Sequence, residues 1–97
     1  MINETQQQQP DNAVVLLKAM ANERRLSILS YLLSKEEMCV GEMNEKLGLS
    51  QSALSQHLAW LRKDELVGTR KEAQTVYYSL KSEKVREMMG LLNRLYN

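Results

Sequence analysis

Residues 49–63, LSQSALSQHLAWLRK, hold two Ser-Gln pairs, the only histidine, His57, and a closing Arg62-Lys63. Serine beside histidine raises the question of nucleophilic catalysis. That chemistry needs a base within reach of the nucleophile and a third group to orient it, and Asp64 and Glu65 lie beyond the apolar part of the segment. Zinc chemistry fails for want of ligands, because a single histidine and a single cysteine, Cys39, cannot complete a site within one chain. No catalytic residue, metal site or cofactor is expected. What the segment does offer is hydroxyl, amide and cation, the groups that bond to base edges and phosphates.

Advancing roughly 100° per residue sorts the segment into two arcs. Gln51, Ser52, Ser55, Gln56, Ala59, Arg62 and Lys63 share one arc, which contains no carboxylate; Ala53, Leu54, His57, Leu58, Trp60 and Leu61 share the other. Glutamine can bond bidentately to adenine, and small Ser52, Ser55 and Ala59 permit close approach. His57 falls on the packing side, where a largely buried ring hydrogen-bonded to backbone or a neighbouring helix is expected.

The flanking elements supply a frame for this helix. Val40, Met43 and Leu47 recur at helical spacing and Gly48 has the position of a helix-ending glycine; Ser50 can then cap the next helix from Gln51. Two short helices joined by Gly48-Leu49-Ser50 form a helix-turn-helix signal. Downstream, VGTRKEAQTVYYSL alternates as a two-stranded hairpin with a charged tip, placing Arg70 and Lys71 near Gln74 and Thr75. Those cations would reach phosphate or minor groove beside a helix lying in the major groove.

Upstream, Asn22 caps a helix carrying Leu26, Ile28, Leu29, Leu32 and Leu33. Residues 1–12, with a Gln run and the only proline, read as a flexible polar tail, and Asp11 or Asn12 can cap the first helix of a domain spanning 13–97. That first helix, AVVLLKAM, and the last, from Ser82 to about Tyr96, are apolar on more than one side. Both are expected at a homodimer interface.

Ninety-seven residues make one domain, 43% apolar and 26% charged, with a formal net charge of only +1. The overall field therefore gives no argument for nucleic acid; local placement must carry it. Neither a membrane span nor a secretory signal is read in the sequence, so a cytoplasmic location is expected.

The runs AMANERRLSIL and VGEMNEKLGLSQSALSQHLAWLRKDELVGTRKEAQTVYYSL resemble the ArsR/SmtB family of dimeric winged-helix transcriptional repressors, over about residues 13 to 96. Within it, LSQSALSQHL and TRKEAQTVYY are similar to the branch of hemolysin, biofilm and nodulation regulators. The resemblance implies a mainly α fold with a small β-hairpin, in the order α1-α2-α3-α4-β-β-α5, dimerising through the first and last helices. It also implies a near-palindromic operator in double-stranded promoter DNA as the partner.

Family metal sensors carry a Cys-Val-Cys run where this chain has Cys39-Val40-Gly41, and their second site has no histidine counterpart on the last helix. The paired thiols of redox-sensing relatives correspond here to Ser30 and Asn97, which cannot form a disulfide. Cys39 remains open as a single-thiol sensor, although acidic Glu36 and Glu37 deny it the electropositive setting of a reactive thiol. A protein-interaction module on the same fold, with weak or lost DNA binding, is the alternative from another class, kept open by acidic Glu42, Glu45, Asp64 and Glu65.

Overall fold

The computed structural model describes residues 12–97. Helix α1 spans Ala13–Met20, α2 Glu23–Lys35, α3 Val40–Leu47, α4 Gln51–Lys63 and α5 Glu83–Tyr96; strands β1, β2 and β3 span Met38–Cys39, Val67–Glu72 and Thr75–Leu80. Apart from Asn12, the polar tail expected at 1–12 lies outside the described residues.

Helix starts follow local capping chemistry. Asn12 accepts from the Val15 N–H, Asn22 from those of Arg24 and Arg25, Ser50 from Ala53 and Ser82 from Val85, each satisfying donors that a first helical turn leaves without partners. At the end of α3, Gly48 takes φ +66°, the left-handed conformation that turns the chain into α4 within three residues. Cys39 caps α3 through its backbone, donating its N–H to Glu42 Oε1 at 3.0 Å. The same N–H holds the Glu42 carboxyl below the usual carboxylate range, with a smaller contribution from the Cys39 thiol.

The expected β-hairpin is present, and a short third strand joins it. The sheet has three antiparallel strands in the order β1-β3-β2, with Met38 opposite Tyr78 and Cys39 opposite Tyr77. Two residues, Met38 and Cys39, are too few to show an alternating pattern, so only tertiary pairing reveals them as a strand. The hairpin pairs Val67 opposite Leu80 through Glu72 opposite Thr75 and turns through Ala73 at φ +56°.

The core is one cluster. Ile28, Leu29 and Leu32 of α2 meet Met43 of α3, Leu54, Leu58 and Leu61 of α4, Val67 and Leu80 of the hairpin, and Val85 and Met89 of α5. Helix α2 thus lies at the centre, touching every other helix and β3. The outer helices are incompletely covered: α1 buries Ala19 and Met20 but leaves Leu17 exposed, and α5 leaves Leu91, Leu95 and Tyr96 exposed. Burial of α1 on more than one side is therefore not achieved within a single chain.

Two glycines of α3 and its C-cap should respond oppositely to alanine. Gly48→Ala places a side chain at positive φ and should cost about 1 kcal/mol. Gly41→Ala, within a helix and with open space around the added methyl, should gain about 0.5 kcal/mol. Urea unfolding of the two variants checks the pair; a stabilising Gly48→Ala would contradict the left-handed cap.

Candidate nucleic-acid interface

Three leucines determine which way α4 faces. Leu54, Leu58 and Leu61 are essentially fully buried against the α2 core, and the opposite arc of Gln51, Ser52, Ser55, Gln56, Ala59, Arg62 and Lys63 is exposed throughout. The polar face is therefore continuous, free of carboxylate, and presented by a capped helix whose first turn contains no acidic residue. Neither Arg62 nor Lys63 makes an ion pair among the described residues.

Alongside this helix, a shallow groove of about 490 Å³ is lined by Ser55, Ala59, Arg62 and Lys63 of α4 together with Val40 and Tyr78. Helix α4 and the sheet that carries the hairpin are thus neighbours. At the wing, Arg70, Lys71, Gln74 and Thr75 are all exposed, but the two cations differ in their surroundings.

Arg70 is held by three partners. Its Nε and Nη2 donate to the two carboxylate oxygens of Glu37 at 3.0 and 2.8 Å, Nη1 donates to Glu72 at 2.6 Å, and the guanidinium lies 4.7 Å from the centre of the Tyr77 ring. Sheet register explains the reach: Arg70 and Cys39 both lie opposite Tyr77, and Glu37 lies two residues before Cys39 on the same face. The arginine therefore crosses the middle strand to meet a carboxylate beside the far one. Both carboxylates raise its pKa well above the ordinary arginine value, and Arg70 in turn holds Glu37 below the usual carboxylate range. Lys71 has no ion pair among the described residues and is the less encumbered wing cation.

The packing arc of α4 departs from the helical projection in two places. His57 is half-buried rather than largely buried, and no hydrogen bond to its ring is formed among the described residues. Burial first, and then the charges of Arg25 and Arg24, lower its pKa, so the ring is neutral near pH 7. Trp60 is 46% exposed, because one ring face carries the guanidinium of Arg25 instead of core side chains.

Arg25 is the residue that sequence reasoning missed. It is 6% exposed, donates from Nε to the Ala19 carbonyl at 2.8 Å, and stacks 3.8 Å from the Trp60 ring centre. Nothing within ERRLSIL distinguishes it from exposed Arg24; its partners are brought to it by the turn between α1 and α2 and by the packing of α4.

Among the described residues, no group of three or more His, Cys, Asp and Glu side chains could hold a metal ion. Ser30 and Asn97, the positions matched to the paired thiols of redox-sensing relatives, line a common groove between α2 and α5 with Leu26, Met89 and Leu92. Cys39 is half-buried at the sheet edge. No helix among the described residues is long and apolar enough to cross a membrane.

A helix-turn-helix with an exposed carboxylate-free face, flanked by a β-hairpin wing, defines a winged helix-turn-helix regulator. The chain belongs to the ArsR family of bacterial regulatory proteins, which its residues 22–69 match. The transcriptional activator HlyU of Vibrio cholerae serotype O1 is 69% identical over 84 residues, 87% of this chain and 77% of that protein. The solved structure of HlyU from Vibrio cholerae N16961 has a TM-score of 0.83, covering 87% of this chain and 90% of that one. The nodulation protein NolR of Rhizobium meliloti is 55% identical over 84 residues, 87% of this chain and 68% of that protein. A homodimeric winged helix-turn-helix DNA-binding domain from Mycobacterium bovis, 30% identical, covers 84% of this chain and 75% of its own with a TM-score of 0.76. Such proteins are transcriptional regulators, not enzymes.

The environment of His57 has a consequence for acid stability. Its folded pKa lies below the unfolded value of about 6.5, so the unfolded chain binds more protons and stability falls as pH drops below that value. The stability is fully present above the unfolded pKa. His57→Gln should therefore flatten the decline between pH 7 and pH 5 relative to the native chain, measured by urea midpoints; identical slopes would mean that neither burial nor the two arginines disfavours the protonated ring.

Proposed function

We propose that this chain is a homodimeric repressor that reads a near-palindromic operator in double-stranded promoter DNA. The observation that carries the proposal is the exposed, carboxylate-free face of α4, fixed by burial of Leu54, Leu58 and Leu61 behind it. Gln51, Ser52, Ser55 and Gln56 address bases or adjacent phosphates, Arg62 and Lys63 mainly phosphates, and Lys71, Gln74 and Thr75 the flanking groove. Arg70 joins the wing contact to the extent that phosphate replaces Glu37 and Glu72 as its partner. A near-neutral chain can bind DNA in this way because its cations are placed locally rather than in bulk.

The exposed apolar residues of α1 and α5, Leu17, Leu91, Leu95 and Tyr96, support dimerisation through those helices. The homodimeric state described for the Mycobacterium bovis relative supports a dimer. Two-fold symmetry then sets two reading helices about one duplex turn apart. Repression follows from occupying the promoter; the same occupancy raises transcription where it displaces another DNA-binding protein, in keeping with the activator role named for HlyU.

Two substitutions test the parts separately, each titrated against operator and random duplexes at several salt concentrations. Gln56→Ala should cost about 1–3 kcal/mol on the operator and little on random DNA. An equal loss on both would remove its base-reading role, and weak binding without salt dependence would favour a protein partner instead. Glu37→Gln should strengthen binding to both duplexes several-fold at low salt by releasing Arg70 toward phosphate; unchanged affinity would show that Arg70 stays with its carboxylates in the complex.

A further inference from the structure

Arg25 has a place in the fold that neither the reading face nor the wing accounts for. Its Nε and Nη2 point at the Ala19 and Lys18 carbonyls of the last turn of α1, at 2.8 and 3.3 Å. Those carbonyls have no helical partner, and a cation there also meets the negative end of the helix. The flat face of the same guanidinium covers Trp60, near the end of α4. One planar group thus joins the end of α1, the first turn of α2 and the back of the reading helix.

Trp60 lies on a stripe with His57 and Asp64, at the border between the packing and polar arcs of α4 and one turn after Gln56. The three buried leucines fix rotation of α4 about its axis, and its contacts with α2, α3 and β2 hold it in the core. The stack at Trp60 adds a tie to the end of α1 at the C-terminal half of the helix. Arginine suits the task because its fork hydrogen-bonds in plane while its face stacks; lysine, a point charge on a flexible stem, cannot do both.

We propose that Arg25 is a positioning residue for DNA reading: by clamping Trp60 to the end of α1, it sets the tilt at which the α4 face enters the groove. The proposal rests on the DNA-reading assignment made above. Arg25 itself is buried and touches no DNA; it acts through Trp60. Because its other partners are α1 carbonyls, a change in how α1 packs is carried to the reading helix through this one side chain.

The test uses the full chain with Arg25→Lys, Trp60→Leu and the double variant, each titrated against an operator duplex selected with the native chain and against a random duplex of equal length. Each single variant should lose about tenfold on the operator and less than about twofold on random DNA, the size expected for one lost cation–π stack. The double variant should be no worse than the weaker single one, since both remove the same contact. The slope of affinity against salt should not change. Trp60, the only tryptophan, adds a readout without DNA: in Arg25→Lys its fluorescence should become more accessible to acrylamide.

Equal losses on both duplexes with a lowered unfolding midpoint would reduce Arg25 to a structural residue. A salt slope smaller by about one would make it a phosphate contact; either result overturns the proposal. If Arg25→Lys fails to fold, retained operator preference in Trp60→Leu overturns it alone. A native chain that prefers no duplex overturns the DNA-reading assignment and the positioning role together, and that outcome is distinct from preference retained in the variants.

Discussion

The burial of Leu54, Leu58 and Leu61 against α2 is the constraint on which the remaining structure depends. A helix with a filled apolar stripe has one rotational setting, because turning it by one residue would expose a leucine and bury a glutamine or serine without partners. The polar arc therefore faces outward as a consequence of packing, not by any property of its own. Helix α2 meets this need by touching every other helix, so the orientation of α4 is shared with the whole core. Short α3 contributes little length, but its Gly48 cap sets the distance and angle at which α4 begins.

A second organising feature is the division of the cations. Arg25, Arg70 and Arg86 are committed internally, to α1 carbonyls and Trp60, to Glu37 and Glu72, and to the Leu80 carbonyl. Lys81 is paired with Glu65. Arg62, Lys63 and Lys71 stand on the exposed face of α4 and the wing. Arginine is used where planar, multi-donor geometry joins elements distant in sequence, and lysine serves mostly at solvated positions. This division explains how a net charge of +1 coexists with a locally cationic surface.

Local signals were legible in the sequence. Asn12, Asn22, Ser50 and Ser82 cap the helices, Gly48 ends α3, and the periodic leucines of α2 and α4 mark the core face, because capping and periodicity act within a few residues. The exposed arc of α4 followed from the same arithmetic. Strand β1, the Arg70 clamp and the Arg25 stack were not legible. Met38-Cys39 becomes a strand only by pairing with β3, Glu37 and Arg70 are 33 residues apart, and Trp60 looks apolar in any projection that omits α2. An arginine offers no sign in sequence of whether its partner is water, a carboxylate or a ring. His57 was assigned to the correct side of α4, but its half-burial and the charges of Arg25 and Arg24 that lower its pKa follow from tertiary packing.

The first helix shows why a family architecture of this size uses a second copy. Eight residues are too few for an isolated helix to persist in water, so α1 exists through its Asn12 cap, its buried Ala19 and Met20, and the arginine bound to its last carbonyls. These contacts secure its two ends and leave Leu17 in water. Helix α5 has the complementary deficit, with Leu91, Leu95 and Tyr96 exposed toward its C-terminal end. Covering these residues with another chain would remove apolar surface from water and order the two helices least supported by the core. Since the end of α1 is bonded to the side chain that stacks on Trp60, covering α1 and holding α4 share one physical link.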